Sequence, residues 1–260
     1  MSFTRILYTT ADRTARITLN RPEKRNALDD VMIQELTTAI VSAGRDQGVK
    51  VVVLSGNGPA FCAGADLAYL RRVAEYDLEQ NRMDSERLAN LFRGIYELRK
   101  PIVAVVNGPA LAGGCGLASA CDFVIASAEH ASFGYPEVRI GFIPAVVTLF
   151  LVKRIGEGRA RELVLRGNVI SAKAAEEIGL ASMVVPRAKV SEACDRLLED
   201  LIVRNSLTAM GLCKETLSKL HGLNFIDSLE FGANMNAAAR MTPDCKRGLT
   251  GFLRKEKTEW

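Results

Sequence analysis

Two stretches near the start of the chain, residues 6–10 and 15–20, mix apolar and polar positions at short range, a pattern that predicts two strands joined at a polar turn containing Asp12. Residues 20–28, with Pro22, read as a loop. Asp29 or Asp30 can then cap a helix whose apolar face carries Val31, Leu36, Ile40 and Val41. The run Val51-Val52-Val53-Leu54 is continuous rather than alternating, as expected of a strand buried on both faces. A long helix over residues 80–99 stops before Pro101, and residues 102–106 and 123–126 supply two more buried strands. After about Val190 no β-branched strand remains. Residues 190–203, 207–220, 225–239 and 244–255 read as helices, the last with Pro243 at its head. The pattern therefore predicts an α/β core over residues 1–190 and a helical region over 191–260. Those helices must bury their apolar faces against the core or against a neighbouring subunit.

Composition narrows the classes that remain. A chain of 260 residues suits one large domain, or a domain with an appendage. With 48% hydrophobic and 25% charged residues, a disordered chain is excluded. The 34 basic and 30 acidic side chains leave a net charge of +4, too mild to imply nucleic acid. Basic and acidic residues also interleave, as in Arg82-Met83-Asp84-Ser85-Glu86-Arg87, the mark of a solvated helix face. No apolar run reaches the length of a membrane span, and residues 1–12 have neither the basic and apolar regions of a secretory signal nor the look of a transit peptide. A cytoplasmic protein is expected. The six cysteines form no C-x-x-C pair and are expected to be reduced, mostly buried thiols. With His130 and His221 the only histidines, no metal site is expected.

An internal echo carries the candidate chemistry. Asn57-Gly58-Pro59-Ala60 follows the strand at 51–54, and Asn107-Gly108-Pro109-Ala110 follows the strand at 102–106. Each leads into small residues, Phe61-Cys62-Ala63-Gly64-Ala65 in one copy and Leu111-Ala112-Gly113-Gly114-Cys115 in the other. Two copies of strand, turn, small-residue loop and helix suggest stacked repeats of one unit. Small residues let backbone N–H groups approach a ligand, and the first N–H groups of a helix are unpaired and carry partial positive charge. Two such loops aimed at one point make an oxyanion hole, with Ala65 before a helix-like run at 66–73 and Gly113 at the head of another at 114–120.

The segments FCAGADL at 61–67, KPIVAVVNGPALAGGCGLASACD at 100–122 and FGYPEVRIGFIP at 133–144 resemble the crotonase, or enoyl-CoA hydratase/isomerase, superfamily. NRPEKRNAL at 20–28 and FLRKEK at 252–257 fit as well, so the resemblance runs essentially end to end. It implies a crotonase-like β-β-α spiral core with a C-terminal helical region that builds trimers, often paired into hexamers. It implies an acyl-CoA thioester as substrate, with coenzyme A part of that substrate and no separate cofactor. The oxyanion amides map onto Ala65 and Gly113. Ala63 and its neighbours through Asp66 and Leu67 would line the CoA site, Arg25 would meet CoA phosphate, and Phe252 and Lys255 would reach the CoA of an adjacent subunit. A lysine common after the first loop is replaced by Ala68, where Arg71 or Arg72 could substitute.

Acid–base groups decide the reaction. Of the two glutamates typical of hydratases in that family, the later one is present as Glu137, and Gly116 stands where the first would be. Two carboxylates can divide water activation from proton delivery; one must do both, taking the proton from water and returning it to carbon. Glu137 has Phe133, Tyr135, Val138, Ile140, Phe142 and Ile143 around it in sequence, an apolar setting that would raise its pKa. Tyr135 could shape the acyl pocket or donate a hydrogen bond. The expected activity is an enoyl-CoA hydratase acting through Glu137. A Δ3,Δ2-enoyl-CoA isomerase is the close alternative, and a non-catalytic scaffold for acyl-CoA or RNA the alternative of another class.

Overall fold

A computed structural model describes residues 3–220 and 222–260; Met1, Ser2 and His221 lie outside the described residues. Strands β1 (Ile6–Ala11) and β2 (Thr14–Leu19) form an antiparallel hairpin. Its two-residue turn puts Asp12 and Arg13 at φ +48° and +59°, the left-handed turn whose twist matches the flanking strands. Asp29 rather than Asp30 caps α1 (Asp30–Arg45), its side chain accepting the Met32 N–H at 2.8 Å. The buried stripe of α1 is Met32, Ile33, Leu36, Ala39, Ile40 and Ala43. Val31 and Val41, expected on that face, are exposed instead. With Leu36 and Ile40 as the anchors, the i, i+3, i+4 spacing selects Ile33 and Ala43 over their neighbours.

The chain then alternates through β3 (Val51–Gly56), α2 (Leu67–Val73), α3 (Leu78–Glu97), β4 (Ile102–Val106), β5 (Pro109–Leu111), α4 (Gly113–Ala120), β6 (Phe123–Ser127) and β7 (Ser132–Gly134). After a 3-10 turn at Pro136–Ile140 come α5 (Ala145–Ile155), α6 (Glu157–Arg166), β8 (Val169–Ser171), α7 (Ala172–Glu177) and β9 (Met183–Val185). The large sheet has the order β1-β2-β3-β4-β6-β9, parallel from β2 onward, and a small sheet has the order β5-β7-β8.

The continuous β-branched runs are explained by both faces of the large sheet being covered. Val52, Leu54, Ile102 and Ala104 join the main core with α1 and α3. Val51, Val53, Val103 and Ile125 point the other way, onto Ala193, Cys194, Leu198 and Leu201. Each fully buried aliphatic side chain of this kind contributes roughly 1.5–3 kcal/mol. The second face is closed by α8 (Val190–Glu199) and the π-helical turn Asp200–Arg204 that extends it. Beyond it lie α9 (Leu207–Leu220), α10 (Phe225–Met241) and α11 (Pro243–Arg254). These leave Phe225, Ile226, Leu229, Met241, Phe252 and Leu253 exposed on the single chain. Among the described residues no helix is long and apolar enough to cross a membrane.

Candidate active site

The two echoing segments stack on one another. The Asn107 side chain donates to the Gly58 carbonyl at 2.9 Å, and a Cβ on Gly108 would lie 2.1 Å from the Pro59 carbonyl oxygen. Further along, the Cys62 N–H donates to the Pro109 carbonyl and the Leu111 N–H to the Cys62 carbonyl. On its other side β5 pairs with β7, and the Ala112 N–H donates to the Gly134 carbonyl at 2.8 Å. The contact is close enough to dictate small residues. Gly64, at φ +96°, would put a Cβ 2.8 Å from that of Ala112, and Gly114 would put one 2.2 Å from the Cys62 carbonyl oxygen.

Gly64 and Ala112 immediately precede the two candidate oxyanion donors, so their contact sets the two loops against each other just before Ala65 and Gly113. Leu28 flanks both. It bridges Ala65 in parallel fashion, and a Cβ on Gly113 would be 3.1 Å from its Cδ1. In that bridge Leu28 bonds to the Gly64 carbonyl (2.7 Å) and the Asp66 N–H (2.8 Å), so the N–H of Ala65 points away from it. Gly113 opens α4, where an N–H has no intrahelical acceptor. Among the described residues neither N–H has a protein acceptor. Ala112, the N-cap of α4, sits at φ +51° and ψ −123°, a region costly for a residue with a Cβ.

Glu137 arrives from the adjoining strand. It lies three residues after Gly134, within roughly 10 Å of chain from the Gly134–Ala112 hydrogen bond. The 3-10 turn that carries it ends at Gly141, φ +74°. Glu137 is 9% exposed, and its Oε2 is buried without a hydrogen-bond partner. Burial pushes its carboxyl above the ordinary glutamate range, opposed only by its own backbone amide. The apolar setting differs from the one expected. Phe133 and Tyr135 are fully buried, but Ile140, Phe142 and Ile143 are exposed. The tight turn and the residues just after it send these side chains outward, whereas the segment leading into it is buried.

Gly116 lies buried on α4, and its missing side chain leaves no hollow. A Cβ there would be 2.3 Å from Val147 Cγ1 and 3.1 Å from Phe92 Cε1. Tyr135 sits beneath the same helix, its hydroxyl paired with the Ser119 hydroxyl at 3.1 Å. Cys62 and Cys115 are buried, and burial pushes both thiols up to about 12, so neither is a ready nucleophile. Cys121 and Cys194 are buried too, whereas Cys213 is exposed and Cys245 half-buried.

The expected CoA-site residues fall into two groups. Arg25, exposed and at φ +50°, accepts the Ala63 N–H on its carbonyl at 3.0 Å. That places Arg25, Ala63, Ala65, Asp66 and the exposed Leu67 along one edge. Asp66 caps α2, accepting the Ala68 and Tyr69 N–H groups. Burial pushes its carboxyl up, but those amides and Arg21 outweigh it and hold it below the usual range. Arg72 is engaged with Asp30 at 2.8 Å. Phe252 and Lys255 are not part of this group within one chain. The helix α11, which carries Phe252 and ends just before Lys255, docks near the start of β3, where the Ser206 hydroxyl donates to Asp244 and Arg13 reaches the Trp260 carbonyl. The oxyanion loops leave the opposite ends of β3 and β4.

Sequence reasoning missed Asn26. It is fully buried, accepts the Arg21 N–H and donates to the Asn57 and Ala60 carbonyls, all at 2.8 Å. Its only signal was an asparagine in a loop just before a helix cap. A cavity of about 850 Å³ between α9, α11 and the beginnings of β4 and β6 is lined by Phe123, Met210, Leu249 and Trp260, and by none of the site residues above. Among the described residues no group of three or more His, Cys, Asp or Glu is arranged to hold a metal ion. On α3, Arg82 pairs with Glu79 and Glu86, and Arg87 with Asp84.

The family model described as enoyl-CoA hydratase/isomerase matches residues 9–260. A Thermus thermophilus protein that carries the name enoyl-CoA hydratase provisionally is 43% identical over 93% of this chain and 94% of its own length. The Escherichia coli 2,3-dehydroadipyl-CoA hydratase is 33% identical over 95% of each chain. Among solved structures, an enoyl-CoA hydratase from Shewanella pealeana superposes with a TM-score of 0.93 at 30% identity, covering 99% of this chain and 96% of the other.

Proposed function

The chain belongs to the enoyl-CoA hydratase/isomerase family, and from that premise we propose that it adds water across the double bond of a 2-enoyl-CoA thioester. The observation that carries the reading is the buried, unpartnered Oε2 of Glu137, on the strand-and-turn that adjoins the Gly113 amide. An unpaired buried carboxylate costs stability, and such groups persist where chemistry uses them.

In this reading the thioester carbonyl oxygen sits between the N–H groups of Ala65 and Gly113. The Glu137 carboxylate takes a proton from water as the oxygen attacks C3. Charge moves onto the thioester oxygen, held by the two amides. The carboxylic acid then returns the proton to C2, leaving a 3-hydroxyacyl-CoA and restoring the carboxylate. Arg25, Ala63, Asp66 and Leu67 line the CoA entry, and coenzyme A is carried by the substrate rather than bound as a separate cofactor. Residues 1–190 hold the catalytic core. Residues 191–260 present the apolar faces of α10 and α11 to neighbouring copies in a trimer or hexamer, which would deliver Phe252 and Lys255 to an adjacent site.

Gly116 favours a second reading. A site with one acid–base group and no room for another also suits moving a double bond from position 3 to position 2, which needs removal of an α-proton and its return at C4.

The test is the loss of the conjugated-thioester absorbance of crotonyl-CoA and longer 2-enoyl-CoA esters. Wild type should consume at least one of them and Glu137→Gln should lose nearly all turnover. Equal rates for the two proteins, or consumption by neither, would rule the hydratase reading out.

A further inference from the structure

Arg21 has no role in the chemistry described so far, yet its side chain is buried. Its guanidinium lies between two carboxylates, with Nη1 3.0 Å from Asp29 Oδ2 and Nη2 3.0 Å from Asp66 Oδ2. Each aspartate caps a helix, Asp29 for α1 and Asp66 for α2, so the excess negative charge faces two helix N-termini. Nη1 also donates to the Ala27 carbonyl at 2.9 Å.

That last contact leads to the oxyanion donor. A trans peptide is planar, with its C=O and N–H pointing in opposite directions. The Ala27 carbonyl and the Leu28 N–H belong to one such plane. The Leu28 N–H donates to the Gly64 carbonyl at 2.7 Å. The Gly64 carbonyl and the Ala65 N–H belong to the next plane. A hydrogen-bonded line therefore runs from the Arg21 cation through two peptide groups and ends on the N–H of Ala65. Donation into a carbonyl makes the N–H of the same peptide a better donor, and chains of such bonds reinforce one another.

We infer that Arg21 is a positioning residue that aims and polarises the Ala65 amide through the Ala27–Leu28 and Gly64–Ala65 peptide planes. The inference rests on the proposed function, in which that amide binds the thioester oxygen. The planar guanidinium is needed because it spans two carboxylates and a carbonyl together, which a lysine ammonium cannot do in the same geometry.

The experiment is difference infrared spectroscopy of butyryl-CoA labelled with ¹³C at C1, a saturated thioester that cannot be hydrated, bound to full-length protein. Wild type should lower the carbonyl stretch relative to free butyryl-CoA. Arg21→Met should lose at least half of that displacement. Arg21→Lys, which keeps a cation between Asp29 and Asp66 and so protects folding, should lose a comparable share. Asp29→Asn, which breaks one ion pair but leaves Nη1 on Ala27 and can still cap α1, should keep most of it. Turnover of crotonyl-CoA by Arg21→Lys should fall in kcat, by up to about 10²-fold for a misplaced donor, with KM little changed. A folded Arg21→Lys whose band matches wild type would overturn the inference, as would an equal loss in Asp29→Asn. No displacement in wild type would instead remove the oxyanion assignment of Ala65 and Gly113.

Discussion

A Cβ placed on Gly116 would lie 2.3 Å from Cγ1 of Val147. The position that could hold a second carboxylate is therefore not an empty slot waiting for a side chain. Val147, 3% exposed near the start of α5, fills it from the opposite side, with Phe92 beside it. The glycine and the valine fit each other, and on the proposed reading that wall leaves room for one carboxylate.

Gly116→Glu should accordingly destabilise the protein rather than add a catalyst. Overpacking of this kind costs about 1–3 kcal/mol, and burying an unpaired carboxylate adds to it. Urea unfolding should show the loss for Gly116→Ala as well, and Val147→Ala in the same chain should return part of it. Wild-type stability for Gly116→Ala would mean that Val147 moves freely.

Glu137→Gln should separate activity from stability. Turnover should fall about 10²- to 10⁴-fold with the acid–base group removed. The fold should be as stable at neutral pH or gain about 1 kcal/mol, because an unpartnered buried carboxylate has been replaced by a neutral amide. Thermal melts beside steady-state rates check both halves; a large loss of stability would give the carboxylate a structural role.

The pH dependence has a definite sign. Burial raises the Glu137 carboxyl pKa, so folding favours its protonated form. Its contribution to stability is complete below the unfolded carboxyl's pKa and is lost as pH rises through the higher folded value. Activity runs the other way, since the base must be ionised. The acid limb of kcat/KM should fall above the ordinary glutamate range, and a limb at the ordinary value would contradict the desolvated setting.

The strain at Ala112 gives a prediction free of the acid–base group. At φ +51° and ψ −123° this residue occupies backbone space that suits glycine. Relief of about 1–3 kcal/mol of strain outweighs the added chain entropy of a glycine, so Ala112→Gly should stabilise the fold by about 1 kcal/mol. Gly64→Ala, with its Cβ 2.8 Å from that of Ala112 and φ at +96°, should destabilise it and lower kcat. Denaturant melts of the two variants would test the pair; matching shifts of the same sign would contradict it.

Much of this was legible in the sequence because it depends on local pattern. The strands at 51–54 and 102–106 announce themselves by β-branched runs, and the echo announces the two small-residue loops that pack together at Gly64 and Ala112. The short strands β5, β7 and β8 were not legible. Each has three residues and takes its hydrogen bonds from partners distant in sequence. The side of α1 taken by Val31 and Val41, and the outward turn of Ile140, Phe142 and Ile143, depend on packing that periodicity resolves only coarsely. The line from Arg21 to Ala65 was hidden because it runs through peptide planes rather than side chains. Gly116 was visible as a departure from the hydratase pattern, but Val147 as its counterpart appears only in three dimensions.

The most direct test is mass spectrometry of a short 2-enoyl-CoA and its 3-enoyl isomer, each incubated with the protein in ¹⁸O-labelled heavy water. Hydration through Glu137 predicts a 3-hydroxyacyl-CoA from the 2-enoyl ester, with ¹⁸O at C3 and deuterium at C2, and none of it from Glu137→Gln. Interconversion of the two esters with deuterium exchange and no ¹⁸O would contradict it and make the protein an isomerase.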